Sequence, residues 1–199
     1  IDRGKRYVQR AGGAEGGKIE LNMIMALAGF LEDSFFNGSF WDYNGTTASI
    51  FSLDQDNLYG VNIYSSNKFK SHTHVNFHPG KQGIKLFATG LKLSAPQAES
   101  PKGTGKGFLW DTTIPIKAKS LLVGPENIYL AGVRDIVDEE DPWAHYDARR
   151  GGLITIHSKK DGEQKREIEL QSPPVFDGLA SAAGKLFVSC KDGSVLCFE

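Results

Sequence analysis

One phrase recurs along this chain: a short run of β-prone residues, a cluster of turn formers, and a second β-prone run. Its first copy is Ala48-Ser-Ile-Phe-Ser-Leu53, then Asp54-Gln-Asp-Asn57, then Leu58-Tyr-Gly-Val-Asn-Ile-Tyr64. The second is Lys119-Ser-Leu-Leu-Val123, Gly124-Pro-Glu-Asn127 and Ile128-Tyr-Leu-Ala-Gly132; the third is Leu179-Ala-Ser-Ala182, Ala183-Gly-Lys185 and Leu186-Phe-Val-Ser-Cys190. Val, Ile, Tyr and Phe suit a pleated half-buried surface, while Asp, Asn, Gly and Pro end it. A hairpin cannot bury both of its faces alone, so each copy needs neighbours of its own kind.

The second copy continues into Gly152-Leu-Ile-Thr-Ile-His157. Asp161-Gly162 then turns the chain into a strand over residues 164–170, where Arg166-Glu-Ile-Glu-Leu170 alternates polar and apolar as an exposed outer strand does. Strands at 119–123, 128–132, 152–157 and 164–170 make a four-stranded unit, which Pro173-Pro174 ends. The third copy continues into Ser194-Val-Leu-Cys-Phe198 and has three strands, leaving an edge for another strand to cover. The fold expected is all-β, a partial β-propeller of four-stranded antiparallel blades. At about 40 to 50 residues per blade, 199 residues hold roughly four blades, an incomplete ring.

Residues 1–199 read as one such domain. Residues 1–18, punctuated by Gly12-Gly13 and Gly16-Gly17, read as a flexible or linking segment; Asn22 to Phe30 fits a helix turn or a buried strand by periodicity, with strand favoured by its strand neighbours. Long inserts at 65–83, 94–107 and 133–150 interrupt the repeats, and inserts on a rigid sheet are where binding is expected. The start at Ile1 in place of Met points to processing or truncation.

Charge excludes one class of partner. Lys and Arg number 23 against 24 Asp and Glu, so nothing global attracts nucleic acid. Arg149-Arg150 and Lys159-Lys160 are local basic pairs, read as solvated turns before phosphate sites. No apolar run reaches the roughly 18–20 residues of a spanning helix, so no transmembrane segment is expected.

Several constellations carry possible chemistry. His72, His74 and His78 fall on one face of an extended segment and could meet zinc or copper; the alternative is a loop with three surface histidines. Phe35, Phe36, Phe40, Trp41 and Tyr43 crowd a turn-rich stretch and form either a ligand platform for flat rings and sugars or the anchors of a long loop. Asp135 with Asp138-Glu-Glu-Asp141 offers calcium oxygen ligands but lacks the spacing of a calcium loop, so it reads first as a solvated acidic turn. Gly103-Thr-Gly-Lys-Gly107 lacks the full phosphate-loop spacing, and no Gly-x-Ser-x-Gly elbow is present. No catalytic residue is assigned.

Cys190 and Cys197 flank a hairpin signal. With Asp192-Gly193 as a two-residue turn, Cys190 lies opposite Val195 and Cys197 opposite Val188. That places both sulfurs on one face as diagonal neighbours, read as two buried free thiols, with a disulfide in another register as the alternative.

The text from Trp110 onward resembles the C-terminal part of pyrroloquinoline-quinone-like (quinoprotein-like) β-propeller repeat proteins. The residues that carry it are Trp110-Asp-Thr-Thr-Ile-Pro-Ile116, Ser120 to Gly132, Gly151 to Gly162, and Ser172 to Phe198; Leu31 to Trp41 is similar to a loop of the same group. Much of that group is exported from bacteria, which implies a periplasmic or extracellular location. The dehydrogenases of the group hold the quinone with calcium and a catalytic aspartate, often with two adjacent cysteines; here the cysteines are separated, and no cofactor ligand can be placed. The resemblance therefore carries the fold alone, and with a rigid repeat, long loops and no convergent catalytic motif the reading is a noncatalytic module that binds a protein or a glycan through those loops, with the remainder of the propeller in the same precursor or another chain. The alternative it implies is a quinone-dependent or metal-dependent oxidoreductase, using calcium or pyrroloquinoline quinone, with part of its site outside this chain.

Overall fold

The computed structural model describes residues 24–26, 41–43, 46–62, 83–91, 107–142, 144–145 and 147–199. Among them every regular element is a β-strand, and every strand pair is antiparallel. The chain lays down its sheets one after another. Strands β1 (Ile24–Ala26), β2 (Trp41–Tyr43) and β3 (Thr46–Ala48) form the first. The second comprises β4 (Ile50–Leu53), β5 (Asn57–Asn62), β6 (Ile84–Gly90) and β7 (Trp110–Ile114). The third comprises β8 (Ile116–Val123), β9 (Asn127–Arg134), β10 (Gly152–Ser158) and β11 (Gln164–Leu170). The fourth, β12 (Pro174–Ala182), β13 (Lys185–Cys190) and β14 (Val195–Phe198), has three strands. No helix of the described residues is long and apolar enough to cross a membrane.

The four-stranded unit expected from the second copy is present in order, β8-β9-β10-β11, with its first two strands reaching back to Ile116 and on to Arg134. The insert expected from residue 133 thus begins after Arg134. The first copy also proves to be a four-stranded unit. Its third and fourth strands lie beyond the region 65–83, and β7 uses the Trp110–Ile114 text. Asn22 to Phe30 contributes the short strand β1.

Alternation within the third sheet explains how the sheets join. Leu121, Ile128, Leu130 and Leu153 project into one core with Val61, Ile84, Leu86, Ile114 and Ile116 of the second and third sheets. Their neighbours in sequence, Leu122, Tyr129, Ala131 and Ile154, project into another with Leu186, Val188 and Cys190 of the fourth sheet. Side chains along a strand point alternately to opposite faces, so a strand with apolar residues at every position is buried on both. The first strands of three successive sheets, β4, β8 and β12, lie beside one another. Ser120 on β8 ties the last two together, accepting a hydrogen bond from the Gly178 amide at 2.7 Å and donating to the Val175 carbonyl at 3.4 Å.

The β13–β14 hairpin differs from expectation. The Cys190 amide donates to the Ser194 carbonyl, the Gly193 amide donates back to the Cys190 carbonyl, and Gly193 has φ +87°. The loop is therefore the three residues Lys191-Asp192-Gly193, a turn closed by a glycine in the left-handed region. Asp192 stabilises it by accepting the Ser194 amide at 2.9 Å. Cys197 then pairs with Phe187, and Val195 with Ser189. One extra loop residue slips the register by one, which moves a side chain to the opposite face. Cys190 is buried, while Cys197 is exposed, so the expected pair of buried thiols is replaced by one buried and one exposed free thiol.

Candidate functional site

Where the second and third sheets meet, a cleft of about 710 Å³ opens, lined by residues from five separate stretches of chain. Its geometry starts with Asp54. In the β4–β5 turn the Asp54 carboxylate accepts the amides of Asp56 at 2.9 Å and Asn57 at 2.7 Å, the self-capping that short acidic side chains favour. Its other oxygen accepts the Tyr59 hydroxyl at 3.1 Å and faces the Lys159 ammonium at 2.6 Å. Tyr59 in turn accepts the Asn57 amide group at 3.4 Å.

Lys159 belongs to the β10–β11 turn of the next sheet. Its backbone amide donates to the Glu126 carbonyl at 2.9 Å, its carbonyl accepts the Trp110 indole N–H at 3.2 Å, and its ammonium stands 5.9 Å from the Tyr59 ring centre. One residue thereby joins the β4–β5 turn, β7, the β8–β9 turn and its own turn. The expectation of a solvated Lys159-Lys160 pair holds for Lys160, which is exposed, and fails for Lys159, which is half-buried in an ion pair.

Gly162 completes the junction. It sits at φ +78°, and a Cβ there would lie 2.5 Å from the Trp110 ring. Only glycine lets the turn and the indole come this close. Beneath the turn His157 is buried, its Nδ1 3.0 Å from the Gly162 carbonyl and its Nε2 3.0 Å from the Thr155 hydroxyl. A carbonyl only accepts, so Nδ1 carries the proton and Nε2 accepts from Thr155. Burial lowers the His157 pKa, partly opposed by the bond to Gly162.

Two ionisable groups of this network, Tyr59 in the lining and Asp54 bonded to it, have shifted pKa values. Burial works against the Asp54 carboxylate, but Lys159, the two backbone amides and Tyr59 outweigh it and hold the group at about 2. Burial, joined by the neighbouring Asp54, pushes the Tyr59 phenol up to about 12. The Tyr59 ring is 1% exposed, so it supports the cleft wall without forming a contact surface. The accessible lining is Leu109, 53% exposed, with Trp110, Pro125, Glu126, Lys160 and Lys165.

The other candidates fare differently. The acidic loop after β9 is clamped by arginines: Arg150 bonds Asp138 at 2.9 Å, and Arg149 holds Asp141 and Asp147. Asp138 also accepts the amides of Glu140 and Asp141, which lower its pKa together with Arg150. The Arg149-Arg150 pair therefore folds back on the acidic turn and pairs Asp138, Asp141 and Asp147, while Glu139 and Glu140 stay exposed and Asp135 is buried. Among the described residues no three His, Cys, Asp or Glu side chains converge as a metal site. His72, His74 and His78 lie outside the described residues, as do Phe35, Phe36, Phe40 and residues 103–106. Trp41 and Tyr43 fall on β2, whose backbone pairs with β1 and β3.

Sequence reasoning reads Asp54-Gln-Asp-Asn57 as a turn first and a cation site second, and places none of Leu109, Trp110, Glu126 or Lys165 in a site. They are contributed by different turns and strands, and no local motif joins them. The one sequence signal was Trp110, a large aromatic heading a strand. No protein-family model matches the chain, and no curated protein matches it.

Proposed function

We propose that the chain is part of a β-propeller with quinoprotein-like blades, and that it serves as a noncatalytic binding or assembly module of a periplasmic or extracellular protein. The adjacency of β4, β8 and β12, with the third sheet covered on both faces, supports the propeller. Blades arranged around an axis bring their first strands together in this way. The three-stranded last sheet fits completion by a strand from the remainder of the propeller. Its edge strand β14 presents Val195 at 63% exposure and no charged residue, whereas edge strand β11 is studded with exposed Lys165, Arg166, Glu167 and Glu169. Charges protect an edge that stays open, and their absence suits one that pairs.

The observation that carries the binding reading is the inter-sheet cleft. Its walls are joined by hydrogen bonds between successive sheets, and Asp54 and Tyr59 in that network, at about 2 and about 12, are removed from the range in which general acid and base groups work. A preformed cleft with fixed polar groups is suited to holding a protein or glycan partner. The experiment is an absorption spectrum and metal analysis of the protein isolated from its natural host. No quinone band and no stoichiometric calcium are expected. A released quinone with stoichiometric calcium would overturn the reading in favour of a quinone-dependent oxidoreductase.

A further inference from the structure

We infer that the cleft between the second and third sheets takes an acidic oligosaccharide, an inference that rests on the binding-module reading above. Its lining divides by chemistry. Its apolar members are Ala88, Leu109 and Trp110, with Leu109 more than half exposed. Its exposed cations are Lys160 and Lys165. The Lys165 ammonium donates to the Asn127 side-chain carbonyl at 2.7 Å, which positions it and leaves two of its three donors free. Lys160 is exposed at the turn and, like Lys165, lies within the electrostatic reach of Asp161, while Lys159 is committed to Asp54. The cleft therefore offers a ligand two cationic groups together with an apolar surface.

Glu126 lies in the same lining and decides among anions. A carboxylate only accepts hydrogen bonds, so it repels a simple polyanion and rewards a ligand that brings hydroxyl donors. Asn57 adds a group that both donates and accepts. The ligand with an apolar ring face, several hydroxyls and a carboxylate is a uronic acid unit. Its ring C–H face would lie on Leu109 and Trp110, its carboxylate on Lys160 and Lys165, and its hydroxyls on Glu126 and Asn57. A cleft of about 710 Å³ lies inside the roughly 300–1,000 Å³ common for small-ligand sites.

The test is calorimetric titration of the protein with trigalacturonate, with maltotriose as a neutral sugar and tetraglutamate as an acidic peptide. Trigalacturonate is expected to bind, maltotriose at least about tenfold more weakly, and added salt to weaken the acidic sugar. The double variant Lys160→Ala/Lys165→Ala, at two exposed positions, is expected to lose about tenfold in affinity with an unchanged circular dichroism spectrum and unfolding midpoint. Leu109→Ser, a second variant outside the ion pairs, is expected to weaken both sugars. Equal binding of maltotriose, binding of tetraglutamate without the sugar, or no heat from trigalacturonate would each overturn the assignment. If host-isolated protein is still free of quinone, such a failure removes the acidic sugar alone; a bound quinone removes the module reading as well.

Discussion

At the scale of single residues, His157 and Asp54 each contribute to how the fold answers acid. His157 is buried and neutral, and its folded pKa lies below the ordinary value of 6.5. The unfolded chain takes up that proton first as pH falls, so stability from this site is complete above about 6.5 and declines below it. Urea midpoints measured from pH 7.5 to pH 5 should fall, and His157→Gln should flatten that slope. Asp54 acts in a separate window. Its carboxylate is held at about 2 against 3.8, so its contribution is present above about 4 and is lost between about 4 and 2. A third residue works through the backbone alone. Ala183 has φ +50° and forms the two-residue β12–β13 turn with Gly184. Asparagine tolerates that conformation better than alanine, so Ala183→Asn should raise stability by about 0.5–1 kcal/mol in denaturant titration.

At the scale of elements, the latch between β7 and the β10–β11 turn is the most sensitive join. Gly162→Ala must strain a left-handed backbone and push its methyl into the Trp110 ring, for a loss of about 2–5 kcal/mol. Trp110→Phe keeps most of the ring but leaves the Lys159 carbonyl without its indole donor, a loss of about 1–2 kcal/mol. Thermal unfolding of both variants would check the order. The β13–β14 register makes a chemical prediction: a maleimide should label Cys197 quickly in the native state and Cys190 only on unfolding. Equal labelling would contradict the register. The sequence pattern revealed the strands here and missed the register, because alternation reports which residues favour a sheet and a single loop residue decides which face each occupies. Asp192-Gly193 carried the turn signal, but Lys191 joined the loop and sent Cys197 outward.

At the scale of the whole molecule, the repeat phrase already specified consecutive antiparallel units, and residues 116–170 form the four-stranded sheet it implied. The cleft was not legible in the same way. Asp54 and Lys159 are 105 positions apart, and only the packing of successive sheets brings them to 2.6 Å. Lys159-Lys160 looked like one basic pair, whereas the structure divides it into an internal cation that joins sheets and an external one that faces the cleft. If these sheets are successive blades around an axis, as proposed, β14 is paired by a fourth strand. A crystal structure of the protein isolated from its natural host is the test. It should show β4, β8 and β12 innermost and an added strand hydrogen-bonded along Val195–Phe198; sheets stacked without a common axis, with β14 left open to solvent, would refute the propeller.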